Sequence, residues 1–379
     1  MTDGLIVAID DDEAELKPNV PEHFELDVVD PNDPKLADRL ADLIPAASLI
    51  LLDQKFNSDL SPLSLIAADG ASFVSHLRSW SRAERKALPP IVLFTNETDA
   101  FRNEVPSVGA PLPLNGSFVG REFQIAPALD VEWIQYKGED SAKNRIEQIV
   151  EASNSAREII GDDGVSLAEV AKWLSLPERA AWSEKAHEDL RGARPPVTQP
   201  GHDDMVSCGP SQMVRWMCHR ALAFPGLLFS DLYAAWALGV SLETFQRFAA
   251  AEHQSDWLNQ LSNTEYYGAL DTFSGRRWWK SGIDNLAWKL DQETSKVNDR
   301  RKALAVLAPN VLFGELHSAS SHVVVWTPEL VESSIAEMED SVQLHPPGWP
   351  AEAFEPWVSR DELKNDEVLQ AMAEQADIS

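Results

Sequence analysis

Three carboxylates follow directly on an apolar run near the start of the chain, in Leu5-Ile6-Val7-Ala8-Ile9-Asp10-Asp11-Asp12. A second run, Leu49-Ile50-Leu51-Leu52-Asp53, ends in one carboxylate, and a third, Ile91-Val92-Leu93-Phe94-Thr95, ends in a hydroxyl. If each run is a buried strand of one open parallel sheet, the residues at the strand ends share a rim. Ligands of such sheets collect outside that rim. Two or three acids and a hydroxyl gathered there suit a hard, oxygen-seeking cation such as Mg²⁺. Val131-Glu132-Trp133-Ile134-Gln135-Tyr136 alternates with a period of two and is followed at once by Lys137. As a fifth strand it delivers an ammonium to the same rim.

The elements that must position these groups are legible in the pattern. Continuous apolar blocks rich in Ile, Leu and Val suit strands covered on both faces. Phe24-Glu25-Leu26-Asp27-Val28-Val29 alternates instead and suits an edge. Helical stretches lie between: 33–44 opens with Asp-Pro, 71–87 spaces Phe73, Leu77 and Trp80 by four and three, and 140–160 reads as one long helix. Strand and helix alternate, which predicts right-handed crossovers and a mostly parallel sheet sandwiched by helices. Residues 105–113 are too rich in proline for a regular crossover helix.

On these residues the segment 1–160 resembles the receiver domain of bacterial response regulators, a flavodoxin-like α/β fold. The resemblance implies that Asp10 and Asp11 are the acidic pair that holds Mg²⁺, and that Asp53 is the phosphoacceptor. It likewise implies that Thr95 is the hydroxyl that senses the phosphoryl group and Lys137 the conserved lysine. Asp53 is then a carboxylate nucleophile facing an anionic donor, and a divalent ion between them removes the repulsion. The implied partner is a histidine kinase or another signalling protein. Here Lys137 precedes Gly138 where the family has proline, and the run from Thr95 to Lys137 is longer than in the family. A switch that works without phosphorylation is therefore kept beside phosphoryl transfer.

Residues 161–379 are expected to form a mainly α-helical, Trp-rich output or interaction domain with an acidic helical tail. Eleven of the 13 tryptophans fall there, and helical spacing predicts that most are buried. Ser166 with Glu169 is a capping box ahead of an apolar helix. Ala234 to Thr244 resembles the turn of a helix-turn-helix, with Gly239 ending one helix and Ser241 capping the next. Its second helix offers Arg247 as its only base, whereas DNA reading favours more positive charge or amides. Arg276-Arg277-Trp278-Trp279-Lys280 is the densest basic-aromatic cluster, and docking onto acidic protein surface is the expected role. Cys208 before Gly209-Pro210 stands at a helix start, where a thiol pKa is lowered. With His322 ahead of Val323-Val324-Val325-Trp326 it resembles papain-like cysteine peptidases. That fold needs several strands around the histidine, and only one clear strand is read in this region.

The totals bound the remaining choices. At 379 residues the chain suits two domains, and a net charge of -29 from 61 acids against 32 lysines and arginines repels nucleic acid and anionic membrane. Nucleic acid is therefore not expected as a partner. Two cysteines, no secretory leader pattern and no long apolar run predict a cytoplasmic protein without a membrane span. The leading expectation is a response-regulator-like signalling protein whose first domain controls a helical interaction domain. The alternatives are an inactive receiver fused to a Cys208/His322 thiol hydrolase, and a helix-turn-helix DNA-binding regulator.

Overall fold

In the computed structural model, the described residues are 4–56, 69–96, 122–161, 164–198, 209–251, 255–328 and 330–374. They divide into two compact units. The first takes the described residues up to Trp173 together with those of Arg194–Ala223, and the second takes Leu174–Ala193 and the described residues from Phe224 onward.

The first unit is built on five parallel strands: β1 (Leu5–Ile9), β2 (Glu25–Val29), β3 (Ala47–Asp53), β4 (Ile91–Thr95) and β5 (Trp133–Tyr136). Their order is β2-β1-β3-β4-β5, with all neighbours parallel. This is the flavodoxin-like order, in which the ligand crevice opens at the switch between β1 and β3. β3 is buried along its whole length, as its unbroken apolar run requires, and the alternating β2 lies at an edge. The register aligns the strand ends: Ile9 pairs with Leu52, Asp53 with Phe94, and Thr95 with Tyr136.

The helices of this layer are α1 (Glu13–Leu16), α2 (Leu36–Leu43), α3 (Gly70–Glu84), α4 (Glu122–Ala128) and α5 (Ala142–Ile159). A short helix, α4, thus stands in the last crossover, where the proline content predicted no regular helix. The proline-rich stretch 105–113 itself lies outside the described residues. α6 (Leu167–Trp173) starts with the expected capping box: Ser166 N donates to Glu169 at 2.7 Å and Glu169 N to the Ser166 hydroxyl at 3.3 Å. After α7 (Ser183–Gly192) of the second unit, α8 (Pro210–Trp216) and a π-helical turn (Met217–Ala221) return to the first unit. Both α6 and α8 pack on α5.

The second unit is mainly helical. It holds α9 (Asp231–Leu238), α10 (Leu242–Ala250), α11 (Asp256–Ser262), α12 (Lys280–Val297) and α13 (Arg300–Leu307), with β6 (Leu228–Phe229) pairing antiparallel with β7 (Trp278–Trp279). Phe229, Phe245, Phe248, Trp257, Trp278 and Trp326 anchor its core. Trp173, Trp182, Trp216 and Trp279 are buried as well, so most of the eleven tryptophans fill cores, as their helical spacing predicts. Trp288 is the exception, at 59% exposed.

The single strand read in this region belongs to a four-stranded sheet. β8 (His322–Trp326), β9 (Glu332–Glu337), β10 (Ser341–Gln343) and β11 (Trp357–Ser359) form a sheet in the order β10-β11-β8-β9. β9 reads Glu-Ser-Ser-Ile-Ala-Glu and is half exposed, so it lacks the apolar run that marks a strand in sequence. α14 (Arg360–Asn365) and α15 (Glu367–Met372) follow, with a small separate core around Val342, Leu344, Val358 and Leu369. Among the described residues no helix is long and apolar enough to cross a membrane.

Candidate metal centre

The carboxyl ends of β1, β3, β4 and β5 bring Asp10, Asp53, Thr95 and Lys137 to one rim. Asp10 is 3% exposed and Asp53 8%, whereas Asp11 faces solvent. One carboxylate oxygen from each of Asp10, Asp11 and Asp53 lies within 4.8 Å of the others. Three hard oxygens so close match the donor chemistry of Mg²⁺, which takes one or two carboxylates, keeps several waters and leaves room for a substrate oxygen. Two buried acids and one exposed acid leave such an ion a solvent-facing side.

Lys137 reaches into the same cluster. Its Nζ stands 2.9 Å from Asp10 Oδ2 and 2.9 Å from Asp53 Oδ1. Its own amide donates to the Thr95 carbonyl at 2.8 Å, which locks the end of β5 to the end of β4. Burial alone pulls the ammonium pKa down, but hydrogen bonds and attraction from Asp53 and Asp10 overcome it and raise the pKa. Asp53 is pushed above the usual carboxylate range, first by burial and further by the Asp10 charge, against the opposing pull of Lys137.

Backbone amides fix the remaining lone pairs. Asp10 Oδ1 accepts from Asp12 N at 2.8 Å, and Asp53 Oδ2 from Lys55 N at 3.0 Å. Asp12, third of the acidic run, is engaged elsewhere: its carboxylate caps α1 by accepting from Ala14 N and Glu15 N. The three consecutive aspartates thus separate into a buried candidate ligand, an exposed candidate ligand and a helix cap. Asn96 Nδ2 donates to Glu15 at 3.4 Å, linking the segment that leaves β4 to α1.

Two residues that matter here were not singled out in the sequence. Gly70 donates to the Gln54 carbonyl at 3.0 Å, and a Cβ on it would lie 2.2 Å from the Asp53 carbonyl oxygen. Only a residue without a side chain lets α3 start against the end of β3. A glycine next to Asp69, the N-cap of α3, was the signal that could have found it. The other is Glu132, just ahead of β5 and so at the opposite end of the sheet, with no exposed surface. It accepts from Arg78 Nη2 at 2.8 Å, from the Ser211 hydroxyl at 2.9 Å and from Arg215 Nε at 3.0 Å. An acid in an apolar strand was its sequence signal, but its partners lie far away in the chain. Beside it Cys218 is fully buried and its thiol pKa is raised, mainly by burial, so it stays an unreactive thiol.

The other sequence candidates separate by position. Cys208 lies outside the described residues, while His322 opens β8 in the second unit. Gly239 adopts the left-handed conformation with φ 66°, ending α9, and Ser241 caps α10 by accepting from Thr244 N. On α10, Arg247 pairs with Glu243 one turn away on its own helix. Arg276 binds Asp231 at 3.0 Å and lies 5.2 Å over the Trp278 ring, whose Nε1 donates to Asp231 at 2.7 Å. Arg276 and Trp278 of the basic-aromatic cluster thus meet an acid of their own unit. No protein-family model matches this sequence, and neither does any curated protein.

Proposed function

We propose that the first unit is a receiver-like switch in which Asp53 accepts a phosphoryl group with Mg²⁺ held by Asp10, Asp11 and Asp53. One observation carries this reading: three carboxylates and an ammonium meet at the ligand rim of a β2-β1-β3-β4-β5 parallel sheet. An Asp53 carboxylate oxygen attacks the donor phosphorus, the bond to the donor's leaving group breaks, and an acyl phosphate forms. Bound Mg²⁺ supplies charge neutralisation between Asp53 and the incoming oxygens. Lys137, already in contact with Asp53, pairs with an oxygen of the new phosphoryl group. Thr95 offers a hydroxyl to another, and the ordered rim becomes the readout. A histidine kinase or a similar signalling protein is the proposed donor, and the second unit the proposed output.

A second reading is favoured by the double contact of Lys137. Its ammonium contacts Asp10 and Asp53 together, so part of the rim's negative charge is offset from within the chain. On that reading the first unit is an interaction module that switches without phosphoryl transfer. Incubation with acetyl phosphate and Mg²⁺ separates the two. Phosphoryl transfer predicts an intact-mass gain of about 80 Da that Asp53→Ala abolishes. No gain, with no Mg²⁺-dependent change, favours the second reading.

A further inference from the structure

The second unit holds two imidazoles side by side. The ring centres of His317 and His322 are 5.1 Å apart, with the planes inclined by 33°. The backbone around them is pinned. Gly239 accepts the His317 amide at 3.1 Å, Val240 bridges to Leu316, and the His322 amide returns to the Ser318 carbonyl at 3.0 Å. A Cβ on Gly239 would lie 2.6 Å from the His317 carbonyl, so the left-handed turn after α9 also sets the position of His317. Neither histidine takes part in the aspartate rim of the first unit.

Each ring is oriented by a protein group. His322 Nδ1 meets the Ser321 hydroxyl at 3.0 Å, and the His322 carbonyl accepts the Trp236 indole N–H at 2.7 Å. His317 hydrogen-bonds the Trp236 backbone carbonyl, while its Nε2 is buried without a hydrogen-bond partner. A ring nitrogen held by a carbonyl or hydroxyl, with the opposite nitrogen left as a lone pair, is the arrangement that orients metal-binding histidines.

We propose that His317 and His322 form a binding site for a borderline divalent transition ion such as Zn²⁺, Ni²⁺ or Cu²⁺. Two imidazoles bound at roughly 2.0–2.1 Å to one tetrahedral ion place their ring centres about 5 Å apart, the separation seen here. Glu337 stands directly opposite His322 in the β8–β9 register, on the same face of the sheet. Arg300, whose charge opposes a cation, is paired with Asp291 at 2.8 Å. Imidazole nitrogen selects these ions over Mg²⁺, so this site and the aspartate rim sort different metals.

The test is Zn²⁺ titration of the tag-free full-length chain by calorimetry, with Mg²⁺ in excess to occupy the aspartate rim. One equivalent is expected to bind. His317→Asn and His322→Asn are each expected to weaken binding by about tenfold or more, with circular dichroism unchanged. Cu²⁺ loading of the wild-type chain reads the ligands without any variant, and electron paramagnetic resonance is expected to show coupling to two imidazole nitrogens. No stoichiometric uptake, as when a water satisfies the buried nitrogen, overturns the proposal. So does uptake that survives the double histidine variant, or that disappears in Asp11→Asn.

Discussion

At the level of single residues, Lys137 decides how the rim behaves. Its ammonium and a divalent ion compete for the same oxygens of Asp10 and Asp53. Lys137→Met is therefore expected to bind Mg²⁺ more tightly, by about tenfold, since removing a unit charge near 4 Å is worth a few kcal/mol at most in a partly screened site. The same variant is less stable than wild type without metal, because two buried carboxylates lose their partner, and it gains more from Mg²⁺ in a thermal melt. An unchanged or weaker Mg²⁺ affinity by calorimetry would remove the competition. Asp53 adds a pH signature. Its pKa in the fold is raised, so its neutral form is favoured there, and this group alone makes the metal-free fold less stable as pH rises through that pKa. Mg²⁺ needs the ionised form, so affinity is expected to fall from about pH 7.5 to about pH 5, starting earlier than for an exposed aspartate. Titrations across that range check the sign.

At the level of elements, two contacts hold the frame that presents the rim. Gly70→Ala forces the start of α3 away from the end of β3, because the new methyl meets backbone rather than a movable side chain. A cost of about 1–3 kcal/mol in denaturant unfolding is expected, together with weakened Mg²⁺ binding, as Asp53 shifts with its strand end. At the other end of the sheet, Glu132 ties Arg78 on α3 to Arg215 and Ser211 on α8. Removing one partner of a buried ion pair strands the others, so Glu132→Ala is expected to lose about 3–5 kcal/mol of stability. Mg²⁺ affinity of the folded fraction should be unchanged, since the opposite rim is intact. Chemical denaturation and calorimetry on the same preparation separate the two effects.

Across the whole molecule, the acidic rim belongs to the first unit, and the paired histidines and most of the tryptophans belong to the second. A ligand that binds only the folded state stabilises it by about 2.7 kcal/mol at a hundred times its Kd. Hydrogen exchange is expected to show Mg²⁺ protection at the ends of β1, β3 and β5. Beryllofluoride, as a phosphoryl mimic, tests control of the output: protection extending into α9–α13 supports it, and protection confined to the first unit counts against it. The net charge of -29 bears on partners as well, because a field of that sign favours basic protein surfaces.

The first unit was readable because its strands are continuous apolar runs that end abruptly in a charge, and burial on both faces leaves such runs one role. Asp10, Asp53, Thr95 and Lys137 could be placed on one rim from strand ends alone, since parallel strands point the same way. Local chemistry likewise disclosed the Ser166 capping box and the Gly239 turn. Tertiary structure decided what depends on distant partners. Glu132 reads as an ordinary strand acid until Arg215, 83 residues later, meets it. His317 is an ordinary polar residue in sequence until the turn at Gly239 sets its ring beside that of His322 at the start of β8. β9 becomes a strand through pairing with β8, not through its own Ser- and Glu-rich sequence. Periodicity records which face of an element is buried, whereas long-range ion pairs and short strands leave no periodic trace, because the chain that completes them lies elsewhere.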